Sequence, residues 1–193
     1  MGFSSQFWNG RRNRAAFRNA FAVGDVLLDS VEKPDPGAPG DTYRMTQYTS
    51  LIPFIVLVVI AAASGAMFMP GPWYEALNKP SWTPPNWLFP VAWTILYLMI
   101  AIAGWLAWKA EGTGAAVAIW GVGLIFNALW SYLMFGRHDI FGALVDVTAL
   151  WLAIAAFIAA TWNIEPRAAY LFMPYLAWAS FAGALNFAVW RLN

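Results

Sequence analysis

Aromatic residues dominate the chemistry open to this chain. Trp93 and Tyr97 stand four apart in one apolar run, Asn127 and Trp130 three apart in the next, and Tyr175, Trp178, Ala182 and Leu185 follow a 3-4-3 stride in the last. On helices, each spacing places its residues on one face. Faces built this way can line an apolar cavity with a few polar handles, which is the general description of a site for a flat hydrophobic ligand. A tightly packed aromatic core has the same spacing, and the residues alone leave both readings open.

Other chemistries have little material. The chain has no Cys and a single His, so thiol catalysis, thiolate metal sites, disulfides and two-histidine metal or haem ligation within one chain are excluded. That histidine, His138, falls in a short connection and reads as a turn residue. Asp146 is the one acid inside an apolar run. Intramembrane acids are functional candidates by default, but Asp146 lies little more than a turn from the start of its run, near Arg137 and a helix N-terminus, which fits a structural role near the interface. No Ser/His/Asp constellation, phosphate-binding loop or dinucleotide fingerprint is present. No metal site, required cofactor or nucleic-acid partner is expected.

The elements that must position the aromatic residues follow from composition. Of 193 residues, 61% are hydrophobic and 11% charged, and the mean hydropathy is +0.55, which predicts an all-α integral membrane protein. Pro, Gly and charged residues divide the chain into five apolar runs, at 50–69, 85–108, 115–135, 140–162 and 168–190. Each reaches the roughly 20 residues that cross a hydrocarbon core of about 30 Å. Closed barrels need shorter, alternating segments, so a five-transmembrane-helix bundle over 50–193 is the expected fold. The last three connections are short, which predicts antiparallel neighbours. No internal repeat is seen. Small residues four apart, such as Ala61 with Gly65, Ala103 with Ala107 and Ala179 with Gly183, would let backbones approach closely.

Residues 1–49 differ in kind, holding six of the eleven Lys/Arg and five of the ten Asp/Glu. Arg11, Arg12, Arg14 and Arg18 precede any acid, and 32–40 has a Pro/Gly linker composition. A basic extension that is disordered or lies on the membrane surface is expected. Between the first two runs stands the loop Trp73–Pro85, with three prolines and three large aromatic rings. Its stiff backbone and amphipathic rings suit a membrane interface or a ligand lid. Of the remaining tryptophans, Trp93, Trp130, Trp151 and Trp178 lie too deep in their runs for a purely interfacial role.

The loop, continuing through Phe89-Pro90-Val91-Ala92-Trp93-Thr94-Ile95-Leu96-Tyr97, resembles the signature of the TspO/MBR family of tryptophan-rich sensory and translocator proteins, once called peripheral benzodiazepine receptors. Phe126–Trp130, Phe135-Gly136, Ala143–Asp146, Pro174–Trp178 and Leu185–Arg191 resemble further family blocks in the same order. The resemblance covers about 65–193. It implies a five-helix bundle, usually dimeric, whose first loop folds over a cavity that binds porphyrins and synthetic isoquinoline and benzodiazepine ligands.

Carried over residue by residue, Trp93 and Trp178 match the tryptophans associated with ligand contact and light-dependent porphyrin breakdown. Asn127 and Trp130 match pocket-wall positions, Ala182 a small position admitting the ligand, and Trp73, Tyr74 and Trp82 the lid; Tyr97 and Tyr175 join them by spacing. Lys79 could pair with a porphyrin propionate or snorkel to the interface. The sterol-motif-like block has Leu185 and Arg191 but Phe187 where that motif carries Tyr, which argues against cholesterol binding and towards a bacterial-type member. The expected function is a membrane protein that sequesters, transports or senses a porphyrin such as protoporphyrin IX or haem, acting as a homodimer in a bacterial cell membrane. An outer membrane or the mitochondrial outer membrane are alternative locations. A light- and oxygen-dependent porphyrin-degrading enzyme and a sterol or lipid carrier are the alternative functions.

Overall fold

A computed structural model of the chain describes residues 48–193; the reading of the basic extension falls almost wholly outside them. The described residues form helices and no strand: α1 (Ile52–Met67), the short α2 (Pro72–Ala76), α3 (Leu88–Glu111), α4 (Ala115–Ser131) continuing into a π turn (Tyr132–Gly136), α5 (Ile140–Thr161) and α6 (Pro166–Leu192). Apart from α2, which lies in the aromatic loop, these match the five apolar runs to within a few residues. α3 to α6, with the π turn counted into α4, are long and apolar enough to cross a membrane. α1 has 16 residues, or about 24 Å at the usual rise, and is the shorter apolar helix of the set.

Local chemistry sets the boundaries. Pro53, Pro72 and Pro166 occupy first turns, where a missing N–H costs no helical bond. Gly112, at φ +68°, ends α3 in a conformation that L side chains avoid. Glu111 then accepts a 2.7 Å bond from the Ala116 N–H in the first turn of α4, and Asp139 caps α5 by accepting from the Gly142 N–H at 2.8 Å. Pro174 lies inside α6, where it removes one backbone bond.

The five long helices pack as a closed ring in the order α1, α3, α6, α5, α4. The α5–α6 and α4–α5 pairs have the broadest contacts. α3 and α4 touch less, although only a short turn joins them, because α1 lies against both. Their close approach centres on Gly104, where a Cβ would stand 2.4 Å from the Trp120 ring. Trp120 is buried there, packs on Phe54 of α1 at 5.3 Å and donates its indole N–H to the Ile100 carbonyl at 2.9 Å.

Large apolar side chains cover the outside of the ring, among them Val59, Ile95, Ile125, Val145 and Leu152. In water such a surface would drive aggregation, whereas lipid solvates it at no cost. The chain is a multi-pass membrane protein. Inside, the buried residues form two apolar clusters. The larger runs from Phe54 and Trp105 to Leu150 and Phe172. The smaller, at one end, holds Met134, Ala143, Leu185 and Val189, with Trp73, Tyr74 and Leu77 of the loop packed against it.

Candidate functional site

On α3, Phe89, Trp93 and Tyr97 recur every four residues and so share a face. Trp93 stacks on Tyr97, with centroids 5.2 Å apart and planes at 27°. Its other neighbours come from α6: Tyr175 edge-on at 6.2 Å and Trp178 edge-on at 6.4 Å. Trp178 is held between Phe89 at 5.9 Å and Phe181 at 5.7 Å. Offset and edge-to-face pairs are the favourable aromatic geometries, so α3 and α6 join through one continuous set of rings.

Asn127 supplies the polar centre. Buried on α4, it accepts from the Tyr97 hydroxyl at 3.1 Å and donates to the Tyr175 hydroxyl at 2.8 Å. One amide thus ties three helices together, and its buried groups are satisfied, as burial requires. A turn further along α4, Trp130 donates its indole N–H to Asn186 Oδ1 at 3.0 Å, and Asn186 donates in turn to the Ile140 carbonyl at 3.0 Å. Trp130 also meets Phe135 edge-on at 5.5 Å.

The loop closes over these residues. Trp73 stacks on His138 at 4.1 Å with planes at 12°, Tyr74 meets Phe135 edge-on at 5.3 Å, and Trp82 meets Phe181 at 5.8 Å. Partial burial raises the Tyr74 phenol above its ordinary pKa by desolvation. Asn78 exchanges hydrogen bonds with Asn193: its N–H donates to Asn193 Oδ1 and its carbonyl accepts from Asn193 Nδ2, both at 3.0 Å. Lys79 is engaged within the loop, donating to the Glu75 and Leu77 carbonyls at the end of α2 and sitting 4.7 Å from the Tyr74 ring centroid.

Trp93, Tyr97, Asn127, Tyr175 and Trp178 therefore converge on one place, Trp73, Tyr74 and Trp82 cover the neighbouring end, Phe181 joins the two by touching both Trp178 and Trp82, and Trp130 meets the loop through Phe135. Ala182 lies on the same helix, half-buried beside Phe181. The sterol-like block does not converge: Leu185 is buried, whereas Phe187 and Arg191 point outward. Trp151 also faces out, donating to Ser180 Oγ at 2.8 Å beside an open groove of about 210 Å³ between α5 and α6. The site rings pack against one another, and the enclosed space next to Tyr175 amounts to about 10 Å³.

Phe89, Phe135, Phe181 and Asn186 connect the site; Phe89, Phe135 and Asn186 stand within the family-like blocks, but the sequence reading gives none of the four a site role. Phe89 and Phe181 continue the strides of Trp93 and Trp178, and could have been found by extending them. Phe135 depends on the π turn, which spacing does not signal. Asn186 follows Leu185 in the same block and is buried with it.

Comparison with known proteins identifies the family. The TspO/MBR family model matches residues 53–191, and so takes in α1 as well as the part of the chain whose motifs carry the resemblance. The protein CrtK of Rhodobacter capsulatus is 42% identical over 144 residues, covering 72% of this chain and 90% of the relative. The tryptophan-rich sensory protein of Cereibacter sphaeroides is 41% identical over 140 residues, covering 72% and 89%. The human translocator protein is 38% identical over 126 residues, covering 63% and 75%. The chain is a member of the TspO/MBR family.

Proposed function

We propose that the chain binds a tetrapyrrole such as protoporphyrin IX between α3, α4 and α6, and in doing so sequesters, moves or senses porphyrin in the membrane. The observation that carries this reading is the convergence of Trp93, Tyr97, Tyr175 and Trp178 around the single amide of Asn127, beneath an aromatic loop. Stacking rings with few polar handles suit capture of a flat conjugated ligand. The names tryptophan-rich sensory protein and translocator protein among the relatives fit a binding and regulatory role.

A ligand of this kind needs a cavity on the order of 300–1,000 Å³. The site rings must part to admit it, and the loop must lift. Its contacts are of the kind that can release: ring–ring pairs and exposed amide bonds. In this reading α1 is the fifth span, its length made up by the turn before it, and the protein works as a homodimer in a bacterial cell membrane.

Titrating the detergent-solubilised protein with protoporphyrin IX in the dark, read by tryptophan fluorescence, tests the proposal. Saturable quenching that weakens in both Trp93→Phe and Trp178→Phe is expected. Linear quenching indifferent to both substitutions would mean that the rings are core and no more. The edge-on contact of Trp93 and Trp178 also favours a second reading, light-driven porphyrin breakdown with an indole as electron donor. Illumination of the complex decides it: a new product that disappears in either variant marks turnover, and intact porphyrin marks binding alone.

A further inference from the structure

Among the described residues, the bundle pairs its buried side-chain polar groups with one exception. Asn127, Asn186 and Thr161 all have hydrogen-bond partners. Asp146 is 5% exposed, and no protein group bonds either carboxyl oxygen. Arg137, just before α5, is exposed, and the described ion pair is Arg167 with Glu165. An unpaired carboxyl inside an apolar bundle is costly in either protonation state. A chain that satisfies the rest of its buried polar groups has a reason to keep it.

Its position suggests the reason. One turn before Asp146 on α5, Ala143 belongs to the smaller apolar cluster; one turn after it, Leu150 belongs to the larger. Asp146 therefore stands at the junction of the two. The candidate site straddles that junction, with Trp93, Tyr97 and Trp178 packed on the larger cluster and Phe89, Trp130 and Phe181 on the smaller. Separating the clusters is how space for a ligand would open, and Asp146 would face that space from α5, which does not neighbour α3 in the ring. The Tyr97–Asn127–Tyr175 chain uses two donors for its two bonds, so one phenolic O–H is left over whichever way the amide is turned.

We propose that Asp146 is a specificity-determining residue of the tetrapyrrole site, meeting the central nitrogens of a metal-free ring from the face opposite Trp93. This rests on the tetrapyrrole reading above. The central nitrogens are shielded at the ring edge and can be approached only from a face. A metal-free ring carries both N–H donors and bare nitrogen acceptors there, so the carboxyl finds a partner whether it is ionised or protonated. A ring filled with a square-planar metal offers neither. Asp146 thus selects metal-free rings over rings filled with a square-planar metal that takes no axial ligand.

The test compares dark binding of protoporphyrin IX and its nickel(II) complex to wild type, Asp146→Asn and Asp146→Leu, with the thermal midpoint of each ligand-free protein. Wild type should bind the metal-free ring at least about tenfold more tightly, the scale of one hydrogen bond to a charged group. In Asp146→Leu the two affinities should become equal and the ligand-free midpoint should rise, because an unpaired carboxyl has gone. Asp146→Asn, nearly the same shape, should keep part of the preference and guards against misfolding of the leucine variant. The proposal is overturned if wild type binds both rings equally, if either variant keeps the full preference, or if both variants lose stability and lose the two rings in parallel. Failure of wild type to bind either ring saturably would instead remove the tetrapyrrole reading itself.

Discussion

Replacing Gly104 by Ala probes a close approach between α3 and α4, the seating of Trp120 against α3. A Cβ there would lie 2.4 Å from Trp120 Cε2 and 2.5 Å from its Nε1. Ordinary contact begins near 3.4 Å, so the indole must retreat by about 1 Å. It has little freedom to do so, being buried, packed on Phe54 and hydrogen-bonded to the Ile100 carbonyl. Overpacking of this kind costs about 1–3 kcal/mol. Losing the buried indole bond adds roughly 1–3 kcal/mol, and the better helix propensity of Ala returns about 0.5–1 kcal/mol. A net loss of about 3 kcal/mol is expected. Gly121 is the matched control, since a Cβ there meets nothing within 4 Å, and Gly121→Ala should be neutral or gain up to about 1 kcal/mol. Reversible unfolding in mixed micelles, followed by circular dichroism, measures both. Equal stability of the two variants would refute the account of the α3–α4 contact.

Asn127→Leu leaves two phenols without their shared partner, and should cost about 1–3 kcal/mol in the same unfolding assay while weakening protoporphyrin IX binding. Trp73→Ala removes the His138 stack and so one loop contact; stopped-flow mixing should show faster ligand association and dissociation, and unchanged rates would mean that the loop does not gate entry. The Arg167 guanidinium, through its hydrogen bonds, holds Glu165 below the usual glutamate range. A lowered folded pKa contributes stability above the unfolded value near 4.3 that is lost as pH falls through the folded one. Glu165→Gln should therefore melt slightly below wild type at pH 7, and the gap should close at acid pH.

The helical spans were legible because Pro, Gly and charge interrupt long apolar runs, and helix length in a membrane is set by thickness. The convergence of Trp93, Tyr97, Asn127, Tyr175 and Trp178 was foreshadowed by spacing, since residues three and four apart must share a face. Which faces meet was not legible, because short connections between α3 and α4 suggest intimate packing whereas α1 takes much of that contact. Depth in a run also says nothing of direction: Trp151 lies as deep as Trp178 yet turns outward. Lys79 could be read as facing a ligand or the interface; its bonds to the end of α2 were not legible, because that helix is too short to be seen in the sequence. Asp146 reads from the sequence as a structural residue near Arg137 and a helix end, yet no protein group bonds its carboxyl.

The π turn at Tyr132–Gly136, closed by the Arg137 N–H on the Tyr132 carbonyl at 2.8 Å, has a consequence for insertions and deletions. A π turn is an α-helix carrying one supernumerary residue, and such turns concentrate at functional sites. Deleting any one residue of the five would let α4 continue as a regular helix with its hydrogen bonding intact. The wide turn absorbs that extra residue, so the segment beyond it would keep its facing, whereas the side chains inside the turn would be re-aimed. Phe135 would then leave both Tyr74 and Trp130, so the reading frame of this single turn, more than the identity of its side chains, keeps the loop in register with the rings beneath it.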